Sequence, residues 1–394
     1  MRQLSLFLSA HGGASFALGI HTVLIAWISV AYLHLSPSAL AWVQAAALIP
    51  SVFAILVAGV FADRYSPKKI LMTAYSILAI AYLGLGLVVY FNKLHFWGLL
   101  CYAVVAGIGN AFVQPVREKL IALFPKGELQ RRISGASIIQ FSSQSAGIVL
   151  ASFSDHFGLY YIVAAQVFAA LAAVFMVLSM RFEMDFHRDK ARGIIPDIRI
   201  AIKAYRADKA LTQLLVLIAF NGYMHMGVFL VVLPIIARDV YGFTSVQYGL
   251  LQLSFVIGMV AAQWGFVLRS KIQFPGQGAL FCLLYSAVVG FALAQEPTLI
   301  GLYTLILFWG WVAGSSATHC RLVLQVKVSH KLRGKMMSIY QFVLFGLAPL
   351  GALATGHILN FYSLQQILKG MALSSGILFV IFMFSRSLWA VEQK

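Results

Sequence analysis

Apolar runs near twenty residues recur along the whole chain, separated by short polar connections. They fall at 6–33, 39–62, 70–91, 96–122, 134–155, 158–181, 210–237, 246–268, 276–294, 298–326, 336–357 and 365–387. As a helix, each run is long enough to cross a hydrocarbon core of about 30 Å. In lipid only helices and closed barrels satisfy every backbone group, and the ten-residue alternation of barrel strands is absent. The pattern predicts an all-α integral membrane protein of twelve transmembrane helices.

The connections carry the orientation. His34–Ser38 has no Lys or Arg, whereas Asp63–Lys69 holds Arg64, Lys68 and Lys69. Pro125–Arg132 holds Lys126, Arg131 and Arg132, and the next loop, near Asp155–Gly158, holds none. Arg269 and Lys271, and then Lys327, Lys331, Arg333 and Lys335, continue the alternation. By the positive-inside rule both termini are cytoplasmic, which fits an even number of spans. The longest connection, Phe182–Lys209, holds eight of the 29 basic residues when Arg181 is included. Within it Ile195, Ile198, Ile202 and Tyr205 recur at helical spacing opposite Arg199, Lys203 and Arg206, which predicts an interfacial helix.

That loop divides the chain into a first half (1–181), a cytoplasmic linker (182–209) and a second half with a short tail (210–394). Arg132, Ser137, Ile138, Gln140 and Phe141 recur 201 positions later as Arg333, Ser338, Ile339, Gln341 and Phe342. Two parallel six-helix repeats predict a transporter with its site between the halves.

Composition agrees. Of 394 residues, 61% are hydrophobic and 10% charged, and the mean hydropathy is +0.87. The formal charge of +17 records topology, because the cations sit in alternate loops; no basic face with interleaved aromatics points to nucleic acid. Cys101, Cys282 and Cys320 are far apart inside apolar runs, so neither a disulfide framework nor a metal site is indicated. The N-terminal run continues to Leu33, too far for a signal peptide. No HExxH, G-x-S-x-G or Walker loop occurs; Gly107 and Gly109 lie within a span. No enzyme activity and no cofactor is expected.

The segment from Gly59 to Lys69 (GVFADRYSPKK) resembles the loop between the second and third helices of the major facilitator superfamily. Ser66 stands where that family usually has glycine, and Pro67 where it usually has a basic residue; Arg64 or Lys68 is the expected substitute in the ion pair. Gly109–Arg117 (GNAFVQPVR), Leu332–Tyr340 (LRGKMMSIY) and Gly346–Gly351 (GLAPLG) resemble the enterobactin-exporter and macrolide-efflux branch. The resemblance implies two pseudo-symmetric six-helix halves, a monomer in the bacterial inner membrane, alternating access, and export of a siderophore or drug-like molecule. It also implies that helices one, four, seven and ten line a cavity, with Gly59, Asp63, Arg64, Lys68 and Glu118 in the gate.

Polar residues inside spans are costly in lipid and face a cavity or one another. Asn110, Gln114 and Arg117 share a helical face, with Glu118 beside it, and Thr318, Arg321 and Gln325 form a similar stripe. Arg117 and Arg321 are 204 positions apart, as are His21 and His225, and Asn221 lies one turn before His225. His21, Asn110, Gln114, Arg117, Asn221, His225, Arg321 and Gln325 are the candidate substrate contacts. His21, His225 and Glu118 are the candidates for proton coupling. Each has a plainer reading: Arg117 with Glu118 as a structural ion pair, the histidines as links between helices. His11, His319 and His357 are weaker candidates, and Gln140, Gln144 and Ser137 are as easily packing as ligands. The chain has 12 acids, and none is expected near the midplane, which favours an anionic, oxygen-rich substrate over a lipophilic cation. Rival expectations are multidrug or macrolide efflux, siderophore import, lipid translocation and a non-transporting sensor.

Overall fold

The computed structural model describes residues 2–64, 66–123, 129–180, 194–267, 272–329 and 332–392. Helices account for nearly all of them. In the first part of the chain they are α1 (Arg2–Trp27, extended by a π-helical turn Ile28–Tyr32), α2 (Pro37–Arg64), α3 (Pro67–Tyr90), α4 (Phe96–Leu123), α5 (Leu129–Ser152), the short α6 (Ser154–Phe157) and α7 (Leu159–Leu178). After α8 (Ile194–Ala207), one long rod runs from Lys209 to Val240 as α9 (Lys209–Phe220), a π turn Asn221–Met226, α10 (Gly227–Ile235) and a π turn Ile236–Val240. Then follow α11 (Ser245–Val267), α12 (Pro275–Leu293), α13 (Leu299–Lys327), α14 (Arg333–Ile358) and α15 (Leu364–Ser385). Ten segments among the described residues are long and apolar enough to span a membrane. Pro37–Phe53 is a shorter apolar stretch of α2, and α5 is long but more polar.

The helix ends follow from local sequence. Asp208 caps α9 by accepting from the amides of Ala210 and Leu211, at 2.7 and 3.2 Å. Ser363 and Gln366 form a reciprocal capping box at the start of α15. Pro67 and Pro275 open α3 and α12, where a missing N–H costs nothing.

Lipid exposure is written on the helix faces. On α7 the side chains of Phe168, Leu171 and Phe175 point outward, 75%, 53% and 70% exposed, while Ile162, Val163, Ala170 and Ala173 are buried. A helix apolar on both faces is stable only when the outer one meets hydrocarbon.

The chain forms two compact units, residues 1–192 with 243–250, and residues 193–242 with 251–394. In the first, α1 lies directly on α5. A β-carbon at Gly147 would collide with the carbonyl oxygen of Phe16, so only glycine permits the approach. In the second, Gly351 of α14 meets the carbonyl of Tyr223 in the same way. These two glycines are 204 positions apart, so each repeat packs its first and fifth spans through the same position.

Residues 243–250 join the first unit through Asp155. Its carboxylate accepts the amide of Ser245 at 2.7 Å, the indole N–H of Trp27 at 3.2 Å and the hydroxyl of Tyr32 at 3.1 Å. Trp27 also stacks on Tyr248, with ring centroids 5.2 Å apart.

Helix α8 forms in the linker as its periodicity requires, but its faces divide differently. Ala201 and Tyr205 are buried, and the Tyr205 hydroxyl donates to the Met336 carbonyl at 3.0 Å. Ile202 is exposed together with Arg199, Lys203 and Arg206. Ile195 and Ile198 lie outside the described side chains.

Candidate functional site

The polar side chains of the spans form separate groups. In the first unit His21 is 7% exposed, turned into the space between α1, α3, α4 and α7. Its Nδ1 lies 2.6 Å from the Tyr102 hydroxyl. Gln166 of α7 donates to the Ala17 carbonyl at 3.1 Å and reaches Tyr102 at 3.5 Å. Tyr82 completes the group, its ring centroid 6.4 Å from that of His21. Tyr82, Tyr102 and Gln166 escape a reading of the sequence, because an isolated tyrosine or glutamine in an apolar run has the same pattern as packing.

Nearer the start of α1, Arg117 of α4 donates to the Gln140 side chain on α5. Its charge also bears on Tyr75 and His11. His11 is buried, stacks on Phe7 at 6.2 Å, and neither ring nitrogen has a hydrogen-bond partner among the described residues. Asn110 is partly exposed on the same helix. The side chains of Asp63, Arg64, Gln114 and Glu118, and the surroundings of Gly59, lie outside the described part of the structure.

In the second unit the π turn at Asn221–Met226 carries two of the sequence-derived candidates, Asn221 and His225. Turns of this kind widen a helix and recur at functional sites. Asn221 Oδ1 is 2.9 Å from His225 Nδ1, and His225 Nε2 is 3.0 Å from the Ser375 hydroxyl on α15. Asn221 Nδ2 donates to the Ser316 hydroxyl on α13 at 3.1 Å, and Ser316 lies 3.9 Å from the Cys320 sulfur. Five side chains from three spans therefore form one continuous hydrogen-bonded chain. Ser316 and Ser375 gave no sequence signal, since lone serines are common in membrane helices.

One turn further along α13, Arg321 is exposed although it lies inside a membrane span, and its guanidinium reaches the Tyr340 hydroxyl. Thr318 is tied to its own helix, donating to the Gly314 carbonyl at 3.0 Å, and the Gln325 side chain is exposed. Among the described side chains every carboxylate (Asp155, Asp208, Asp239, Glu296, Glu392) lies at a helix end, in a loop or in the tail; those of Asp63, Glu118 and Asp197 are outside them. No cluster of metal-ligating side chains occurs among them.

The profile described as Major Facilitator Superfamily matches residues 7–352. The chain belongs to the major facilitator superfamily. Its family is one of membrane transporters. Macrolide efflux protein A of Enterococcus faecalis is 26% identical over 209 residues, which is 51% of this chain and 64% of that protein. The Streptococcus pyogenes protein of the same name is 26% identical over 209 residues, half of each chain. The match thus spans between half and two thirds of the length of these relatives. Among solved structures, nucleoside transporter NupG superposes with a TM-score of 0.76 at 14% identity, covering 98% of this chain and 99% of its own. The inward-open xylose transporter XylE from E. coli superposes with a TM-score of 0.72 at 16% identity, covering 99% and 96%. At these identities the likeness shows the fold alone.

In this major facilitator the family's loop between α2 and α3 delivers Lys68 to a specific place. Its ammonium donates to the carbonyl of Leu178 at 3.2 Å and to that of Met180, at the C-terminal end of α7. A cation there satisfies orphan carbonyls and meets the negative end of the helix dipole. Pro67 sets this up, because it starts α3 immediately before the lysine.

Proposed function

We propose that this major facilitator exports an anionic, oxygen-rich small molecule of the siderophore class across the bacterial inner membrane by alternating access. Both termini are cytoplasmic in this reading. The observation that carries it is Arg321, a guanidinium exposed within a span and set beside the Tyr340 hydroxyl, with no carboxylate partner among the described side chains. Its charge is too costly to face hydrocarbon, so it faces an aqueous path, where its forked donors match carboxylate or catecholate oxygens. Arg117 is its repeat-related counterpart in the first half, 204 positions earlier. Asn221 and His225 contact substrate deeper in, with Asn110, Gln114 and Gln325 beside the route. Lys68, with Gly59, Asp63, Arg64 and Glu118, belongs to the gate. The absence of a mid-span carboxylate among the described residues supports the preference for anions.

Purified protein in proteoliposomes tests this. Accumulation of a radiolabelled catecholate chelator should fall at least tenfold in Arg321→Ala while Arg321→Lys retains part of it; equal transport by a well-folded Arg321→Ala would overturn the assignment.

A second reading has its own support, the similarity to macrolide efflux proteins. In that reading the substrate is a macrolide-like drug, the apolar wall carries binding, and the arginines only close the gate. Drug susceptibility of a strain lacking the protein separates the two.

A further inference from the structure

We infer that His225 is a proton-binding site with two hydrogen-bonded states, exchanged by rotation of the Asn221 amide, and that Ser375 fixes which ring nitrogen takes the proton. The inference deepens the transport reading above and rests on it for the proton's use, but not for the proton's place.

The argument is an accounting of donors and acceptors. The Ser375 side chain is fully buried, and its hydroxyl donates to the Met371 carbonyl at 2.7 Å. Having spent its proton, the oxygen can only accept from His225 Nε2, 3.0 Å away. Nε2 therefore carries hydrogen in both charge states. The other nitrogen is the variable one. With Asn221 Oδ1 turned toward Nδ1 and Nδ2 donating to Ser316, Nδ1 must also be a donor, and the ring is an imidazolium. Ser316 then directs its proton to the Cys320 sulfur. With the amide rotated by half a turn, Nδ2 donates to a bare Nδ1, and the freed Oδ1 accepts the Ser316 proton; the ring is neutral. The same heavy-atom positions serve both states. A proton arriving from water forms the Nδ1–H bond, and no other covalent bond changes.

The surroundings fit a site for one proton. From α9 the ring meets Phe220, edge-on at 5.2 Å. From α13 it meets Ser316 through Asn221, with Cys320 and then Arg321 beyond. From α14 the backbone of Leu344 closes on Gly222 and that of Gly351 on Gly227. From α15 it meets Ser375 and Met371. Among the described residues no carboxylate or cation touches the ring, so the amide and the hydroxyl set its two states. The π turn is the device that brings Asn221 and His225 into this geometry. His21, at the matching position of the first repeat, has no such pair; it meets a tyrosine that a packed core would equally supply.

Histidine 15N NMR of the full chain in phosphatidylethanolamine–phosphatidylglycerol nanodiscs tests the proposal, with the His225 signals assigned by their loss in His225→Gln. The expected neutral form carries hydrogen on Nε2. Asn221→Asp removes the donor that stabilises a bare Nδ1, so it should raise the titration midpoint of His225 by about one unit or more. Ser375→Ala should mix the tautomers and lower the midpoint. A neutral form protonated on Nδ1, or a midpoint that Asn221→Asp leaves unmoved, would overturn the proposal. If Asn221→Asp fails to fold, the tautomer of the unmodified chain decides alone. No substrate is present in this measurement, so its failure is distinct from failure of the transport reading.

Discussion

The Lys68 ammonium donates to the Leu178 carbonyl, 3.2 Å away, and so joins the loop before α3 to the last turn of α7. The resemblance to the major facilitator loop implied an ionic role for Arg64 or Lys68, and the lysine's described partners are helix carbonyls. Lys68→Met should lower unfolding free energy by about 1 kcal/mol, the worth of a cation at a helix C-terminus, whereas Lys68→Arg should keep most of it. Thermal unfolding of the purified variants checks both. An unchanged Lys68→Met protein would show that the contact carries no stability.

Asp208 makes a pH prediction. Burial alone would raise the pKa of its carboxyl, but Lys327 and the amides of Leu211 and Ala210 outweigh that and hold it below its ordinary 3.8. A depressed carboxyl stabilises the fold above its unfolded pKa and loses that contribution as pH falls through the folded value. Asp208→Ala should therefore cost about 1 kcal/mol at pH 7, as loss of a helix N-cap does. The difference from the unmodified chain should shrink as pH drops below about 4. Denaturation curves at pH 7 and pH 3.5 measure it, and an equal difference at both would contradict the assignment.

Gly351 approaches Tyr223 so closely that any β-carbon must push α14 away from the first span of its repeat. Gly351→Val should cost on the order of 3 kcal/mol through overpacking. It should sharply reduce monodisperse protein recovered by size-exclusion chromatography. Gly370→Val makes the contrast, because nothing lies within 4 Å of a β-carbon there; it should be recovered normally.

The Tyr205 hydroxyl ties α8 to the start of α14 by its bond to Met336. Tyr205→Phe should cost about 1 kcal/mol and leave α8 helical, and limited proteolysis of the linker should speed up modestly.

Much of this was legible before the structure, for a physical reason. Lipid permits only self-satisfied helices, so length and apolarity pointed to ten of the twelve expected spans, while the polarity of α5 and the shorter apolar stretch of α2 set those two apart. The pairing of Asn221 with His225 was legible too, since a spacing of four puts both on one helix face. What was not legible is which polar groups from distant spans meet them. Ser375 is 150 positions from His225, and nothing local to either distinguishes it from a lone packing serine. The face of α8 was misjudged in part for the same reason. Periodicity groups Ile202 with Tyr205, but the tyrosine is claimed by the Met336 carbonyl, which leaves Ile202 outward with the cations. The enclosure of His21 by Tyr82, Tyr102 and Gln166 likewise depends on tertiary packing.

The central claim is outward transport of an anionic chelator, and mass spectrometry of iron-starved cultures tests it most directly. In a strain lacking the protein, the chelator should accumulate in the cytoplasm and fall in the medium relative to the parent strain. A medium rich in chelator together with failed iron entry would reverse the direction, and identical compartments in the two strains would contradict the account.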